Sequence, residues 1–239
     1  MGHVRLYLDQ PLGVGQTVSL MRDQAHYLFS VMRMRDGDAL EVFDGRSGAY
    51  DARIAKAEKR GGTLTIGERT QPLQRPPDLW LLFAPIKKAR TDFIVEKAAE
   101  MGAARIVPVQ TDHTNADRIR RDRLQAHAVE AAEQCGGTYV PEVTDLSRLS
   151  EVLASWPDER QLMFCDETRA GAVGALPDIP GPWAILIGPE GGFSDAERRR
   201  LGAMAQAHSV SLGPRILRAD TASVAALALW QAHLGDWRE

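Results

Sequence analysis

Residues 71–77 read Gln-Pro-Leu-Gln-Arg-Pro-Pro, and each proline biases the residue before it away from helical backbone angles. A linker is expected there, and it divides two textures. Before it, the runs 39–43, 49–55 and 63–66 read as short strands separated by Asp-Gly-Arg-Ser-Gly and Lys-Arg-Gly-Gly turns, which predicts hairpin after hairpin in a small β-barrel-like domain over residues 1–72. One helix interrupts it: Asp23 is placed to cap the run 24–34, where Tyr27, Val31 and Met34 recur at helical spacing. After the linker, apolar strands at 78–86, 105–110, 140–143, 161–167, 183–187 and 210–212 alternate with helices at 90–101, 117–135, 146–154, 194–207 and from about 221. Strand, helix, strand with near-continuous apolar strands predicts an α/β domain over 73–239, its mainly parallel sheet covered on both faces.

Composition excludes several classes. Of 239 residues, 44% are hydrophobic and 26% charged, the balance of a chain that buries cores rather than stays disordered. Cys135 and Cys165 are the only cysteines, too few for a disulfide framework, and a reducing cytoplasm is the expected compartment. His3, His26, His113, His127, His208 and His233 show no zinc-ligand spacing, so no metal is expected. The start of the chain lacks the apolar core of a secretory signal, and no apolar run approaches the ~20 residues that span a bilayer. The net charge is −3; residues 1–72 carry 10 Lys+Arg against 9 Asp+Glu and residues 73–239 carry 19 against 23, so a polyanion would be bound locally, not by the overall field.

Two segments carry the chemistry. In residues 183–197 a buried strand runs into Gly188-Pro189-Glu190-Gly191-Gly192, and Ser194 with Glu197 has the spacing of a capping box opening a helix. The glycines either let a ligand approach the backbone closely or serve only a tight strand-to-helix turn. No dinucleotide fingerprint, phosphate-binding loop or nucleophile elbow is present. In residues 211–230, Gly213 and Pro214 end a short strand, and Ile216 and Leu217 lead into an alanine-rich helix with little polar surface, which must be buried in the core or against another subunit. Arg218 and Asp220 at its start need partners; either they serve chemistry, or Asp220 caps the helix and Arg218 pairs with it. Basic residues also gather as Lys87, Lys88 and Arg90 where a strand meets a helix, as Arg118, Arg120, Arg121 and Arg123 at the start of the long helix, and as Arg33 and Arg35 at a helix end; each group suits phosphates or a solvated surface.

Gly-Pro-Glu-Gly-Gly-Phe at 188–193 followed by Leu-Gly-Pro-Arg-Ile-Leu-Arg-Ala-Asp-Thr-Ala at 212–222 resembles the paired signature of the RsmE family of SPOUT methyltransferases, bacterial 16S ribosomal RNA uridine N3-methyltransferases. The resemblance extends along the chain: residues 26–45 are similar to the family's PUA-like N-terminal barrel, and residues 90–109 and 130–143 to its middle motifs. It implies a deep trefoil knot in the C-terminal sheet, an exception to the usual unknotted connections. It implies S-adenosylmethionine at Ile187, Gly188, Glu190, Gly191, Gly192, Leu212, Gly213, Ile216 and Leu217, held mainly by backbone groups, and a homodimer whose interface helps build the site. Arg218 and Asp220 would be catalytic, and Arg33, Arg35, Lys87, Lys88 and Arg90 would meet 16S rRNA. This chain differs from the family pattern in having Asp220 in place of glutamate, Gly137 in place of arginine, and His113-Thr114-Asn115 in place of Glu-Arg-Ser; no function is carried onto that last stretch. The alternatives are a SPOUT ribose 2′-O-methyltransferase, whose relatives carry a Ser-Leu-Asn-Val-Ser-like run where this chain has Ile-Leu-Arg-Ala-Asp, and a non-catalytic RNA-binding ribosome assembly factor.

Overall fold

The computed structural model describes residues 4–58, 61–166 and 176–238. The chain splits into two compact units, Met1–Arg75 with Ala132–Val140, and Pro76–Ala131 with Pro141–Glu239.

The first unit holds β1 (Arg5–Tyr7), β2 (Thr17–Ser19), β3 (Ala39–Phe43), β4 (Gly48–Glu58) and β5 (Gly61–Pro72). They form one sheet in the order β1-β3-β4-β5-β2, antiparallel except for the β1/β3 pair. In β4 the alternation predicted from sequence appears as buried Ala52 and Ile54 between exposed Asp51, Arg53 and Ala55; period-2 burial puts one face on the core. Leu40, Val42, Leu64 and Ile66 complete that face. β5 runs on to Pro72, a strand-end position that proline tolerates, so Pro76 and Pro77 carry the break in regular structure. The helix expected over 24–34 takes another form. A single turn, α1 (Arg22–Ala25), passes into a π-helical stretch, His26–Val31, in which Met32 N–H donates to the Tyr27 carbonyl five residues back. The wider winding breaks the 3.6-residue spacing: Leu28 is the buried residue of this stretch, and Val31 is 59% exposed. Asp23 is not the cap; Met21 holds that position, its N–H donating to Gln24 Oε1 at 2.9 Å.

The second unit alternates as expected: β6 (Leu79–Phe83), α2 (Lys88–Glu100), β7 (Arg105–Gln110), α3 (Arg121–Cys135, its last residues within the first unit), β8 (Glu142–Val143), β9 (Ser147–Arg148), α4 (Leu149–Ala154), β10 (Gln161–Cys165), β11 (Trp183–Ile187), α5 (Asp195–Gly202), β12 (Ala207–Val210) and α6 (Ala219–Leu234). The sheet order is β12-β10-β11-β6-β7-β8, with β9 paired to β7 and every pairing parallel. One face, including Leu82, Leu162, Ala184 and Leu186, packs with α4 and α5 through Leu149, Leu153 and Leu201. The alternate residues, among them Leu81, Ile185 and Ile187, are equally buried, and α6 packs against β11 and α2. From β6 the chain fills one side of the sheet, β7 then β8, and afterwards the other side with β10, β11 and β12. Such a switch in direction leaves a crevice at the carboxyl ends of the strands. Among the described residues, no helix is long and apolar enough to cross a membrane.

Candidate active site

Cys165 pairs with Ile187 on one side and Val210 on the other, so β10, β11 and β12 end level with one another. Their continuations, Asp166, Gly188–Glu190 and Ser211–Gly213, surround a cavity of about 290 Å³ that the segment 215–219 and Ala222 of α6 complete. That is near the low end of the roughly 300–1,000 Å³ typical of small-molecule sites. Of the residues expected around a cofactor, Ile187, Gly188, Glu190, Leu212, Gly213, Ile216 and Leu217 line it, as does Arg218, whereas Gly191, Gly192 and Asp220 do not. Gly213 has φ 114°, an angle only glycine adopts without strain. The carbonyls of Gly191 and Gly192 face His113 Nδ1 instead. Sequence reasoning missed Cys165, Asp166, Val210, Ser211, Pro189, Arg215, Ala219 and Ala222; the rule that ligands sit at strand carboxyl ends, applied to β10 and β12, would have found the first four.

The lining combines glycines and apolar residues with four charged ones, Asp166, Glu190, Arg215 and Arg218. Cys165 has its thiol pushed up to about 12 by burial, so it is a neutral thiol rather than a nucleophile at physiological pH. Asp166 is 7% exposed and lies 3.5 Å from Arg198 Nε of α5. Helix α6 begins two residues before its expected start, which makes Arg218 the N-cap position and places Asp220 inside the first turn, so Asp220 is not the cap. Capping-box geometry does occur at Ser194, whose hydroxyl accepts from Glu197 N–H at 3.2 Å while Glu197 Oε2 accepts from Ser194 N–H at 2.8 Å. Arg218 is exposed at the mouth and makes no ion pair among the described residues. Asp220 meets Arg90 rather than Arg218: Arg90 Nε is 3.7 Å from Asp220 and its Nη1 is 3.5 Å from Glu190. Arg90, on the first turn of α2, thus draws two carboxylates, Glu190 of the loop after β11 and Asp220 of the first turn of α6, to one guanidinium.

Among the other basic residues, Lys87 and Lys88 are exposed at the start of α2. Helix α3 begins at Arg121, later than expected. Arg121 donates to the Val143 carbonyl and Arg123 pairs with the carboxylate of Asp92, so these two hold α3 in place, while Arg118 and Arg120 precede the helix and are exposed. In the first unit Arg33 has φ 58° and is exposed, as is Arg35; a left-handed non-glycine residue just past Met32, the C-cap of the π-helical stretch, turns the chain sharply there. His208 Nε2 donates to Gln161 Oε1 at 2.8 Å and the ring lies against Trp183, and burial lowers its pKa. It is a satisfied sheet histidine, as its lack of metal-ligand neighbours suggested. The described residues contain no cluster of three metal-ligating side chains.

A family model described as RNA methyltransferase domain matches residues 74–231, which takes in the whole cavity. A solved structure of a ribosomal RNA small subunit methyltransferase E from Neisseria gonorrhoeae, bound to S-adenosyl methionine, is 32% identical, covers 99% of this chain and 100% of that one, and superposes with a TM-score of 0.90. The chain belongs to the ribosomal RNA small subunit methyltransferase E family. A second model, RNA methyltransferase PUA domain, matches residues 20–67, so the N-terminal sheet of this family member is PUA-like. Curated relatives of the same name are 31% identical in Synechocystis sp., over 89% of this chain and 72% of that protein, and 27% identical in Rickettsia conorii, over 95% of each.

Proposed function

We propose that this chain transfers a methyl group from S-adenosylmethionine to N3 of a uridine in 16S ribosomal RNA. The carrying observation is the cavity at the ends of β10, β11 and β12, lined by glycines, apolar residues and a few charged ones, with Arg218 at its mouth and Asp220 in the first turn of α6 beyond it. The cavity suits the methyl donor: Ile187, Val210, Leu212 and Leu217 offer apolar contact for an adenine ring, and Asp166 and Glu190 offer negative charge to a cationic molecule. When bound, the donor supplies a methyl group already activated by its positively charged sulfur.

Gly188, Glu190, Leu212, Gly213, Ile216 and Leu217 hold the donor by main-chain groups and packing, with Gly191 and Gly192 completing the loop behind. N3 of uridine carries a proton on the Watson–Crick edge, so the base must be unpaired and deprotonated before it attacks. Asp220 accepts that proton, directly or through water, and Arg218 stabilises the negative charge that spreads to the uracil oxygens. Arg90 orients Asp220, and Lys87 and Lys88 meet the RNA backbone. Residues 1–72, through Arg33 and Arg35, dock the RNA, and residues 73–239 form a knotted SPOUT domain. Two copies associate through α6, whose face Val224, Ala225, Ala228 and Leu229 is apolar yet only half-buried in the single chain. The reaction takes place in the cytoplasm, within or on the small ribosomal subunit.

The test is to incubate the protein with labelled S-adenosylmethionine and methyl-free small subunits, then digest the RNA and identify the labelled nucleoside. Label in N3-methyluridine supports the reading. Label in a 2′-O-methyl nucleoside assigns the site to ribose chemistry, and no label with intact binding makes it an RNA-binding protein.

A further inference from the structure

We propose that His113 is a positioning residue that braces the glycine loop 188–192 from behind and so sets the shape of the methyl-donor site. This rests on the reading that the donor occupies the cavity at the strand ends. His113 lies beyond the end of β7, with Nδ1 3.0 Å from the Gly191 carbonyl and 3.2 Å from the Gly192 carbonyl. Carbonyl oxygens only accept, so Nδ1 carries the hydrogen and one N–H is shared between two consecutive peptides, a three-centre bond.

Those peptides belong to the part of the loop with the most backbone freedom, and Gly192 sits at φ 68°. A β-carbon on Gly191 would lie 3.3 Å from His113 Cβ. The missing side chain at 191 therefore admits the imidazole, not the ligand, which explains why Gly191 is absent from the cavity wall although Gly188 and Glu190 are in it.

The brace is itself anchored. Thr111 N–H donates to Thr114 Oγ1 at 2.9 Å, and the two hydroxyls are 2.8 Å apart, closing the turn that carries His113. Asp112 N–H donates to Glu197 Oε1 at 3.0 Å, and the Ser194 hydroxyl donates to the Asp112 carboxylate at 2.5 Å. One short turn thus grips the loop at Gly191 and Gly192 and the helix start just after it. The opposite side of the same loop, Gly188 to Glu190, forms the cavity wall, so freedom gained at residues 191–192 becomes misplacement of groups that touch the donor.

Calorimetric titration of S-adenosylmethionine into the full-length protein tests this with three variants. His113→Ala removes the donor, His113→Asn restores an N–H close to the position of Nδ1, and Leu217→Asp spoils the cavity directly. His113→Ala is expected to weaken affinity about fivefold to tenfold, the value of one hydrogen bond plus lost order. His113→Asn should recover to within about twofold of the parent. In methyl transfer, KM for the donor should rise by the same factor as the dissociation constant, with kcat at saturating donor falling far less. If Leu217→Asp abolishes binding while His113→Ala binds like the parent, the role of His113 is refuted and the cavity reading stands. If His113→Asn is as weak as His113→Ala, the N–H donor is not what matters and the proposal also fails. Parental affinity in Leu217→Asp removes the donor from this cavity altogether.

Discussion

Asp44 and Asp220 are carboxylates whose surroundings assign them opposite tasks. Asp44 is 1% exposed in the turn between β3 and β4. Burial pushes its pKa up, but hydrogen bonds from the Ser47 hydroxyl, the Ser47 and Arg46 amides and the Leu12 amide outweigh it, and the net shift is downward. A carboxyl held below its unfolded value stabilises the fold above about pH 4, and that stabilisation is lost as pH falls through the folded pKa. Asp44→Asn should therefore cost about 1–3 kcal/mol at neutral pH. Denaturant melts from pH 7 down to pH 2 should show parent and variant converging below about pH 4; a gap constant with pH would contradict the assignment. Asp220 instead stands at the edge of the cavity, partly exposed, with Arg90 as its charged partner. The run Asp-Gly-Arg-Ser-Gly was legible as a turn, because glycine and serine mark turns, but nothing local signals that Asp44 gathers a donor from Leu12, 32 residues away. Arg218 and Asp220 were legible because charge beside an apolar helix is out of place. Their mutual pairing was a natural guess that failed, since Arg90, 130 residues earlier in sequence, is brought in by the sheet.

Helix α6 is the element on which both the fold and the site depend. Its buried stripe, Ala219, Ala222, Ser223, Ala226, Leu227, Trp230 and Gln231, follows helical spacing. Gln231 is fully buried and joins two other elements: Nε2 donates to the Met101 carbonyl at the end of α2 at 2.7 Å, and Oε1 accepts from Asp236 N–H at 3.1 Å. Gln231→Met keeps the volume but leaves both backbone groups without their partner, so urea unfolding should report a loss of about 1–3 kcal/mol; an unchanged midpoint would show that water replaces the amide. Most strands and helices of the second unit were legible in the hydrophobic period; β9 was not, nor was β12 at Ala207–Val210, where a helix to 207 and a strand over 210–212 were expected but α5 ends at Gly202. Nor was the π-helical stretch legible. Residues 24–34 carry a helical period that the chain does not follow, since the i→i+5 winding buries Leu28 and leaves Val31 in solvent.

In the whole molecule, β10, β11 and β12 lie side by side in the parallel sheet and end level with one another, which explains why residues from three strand ends and one helix start meet at one cavity. The order of elements was legible in the sequence. The spatial order β12-β10-β11-β6-β7-β8 was not, because pairing between β6 and β11 is long-range and leaves no local mark. The apolar outer face of α6 predicts a dimer: sedimentation should report twice the 26.3 kDa chain mass, and a fully active monomer at micromolar concentration would contradict a shared site. RNA docking by Arg33 and Arg35 predicts that replacing both with alanine weakens RNA binding and flattens the log–log salt slope by about 0.7 per lost phosphate contact. An unchanged slope would move the footprint to Lys87 and Lys88. Methyl transfer at one site, the cavity with Arg218 and Asp220 at its edge, is what the proposed function requires. The direct measurement is single-turnover methyl transfer to small subunits at saturating S-adenosylmethionine, compared among the parent, Asp220→Asn and Arg218→Ala. The rate should fall about 100-fold in each variant with affinity for S-adenosylmethionine nearly unchanged; parental single-turnover rates in both would rule out catalysis by these two residues.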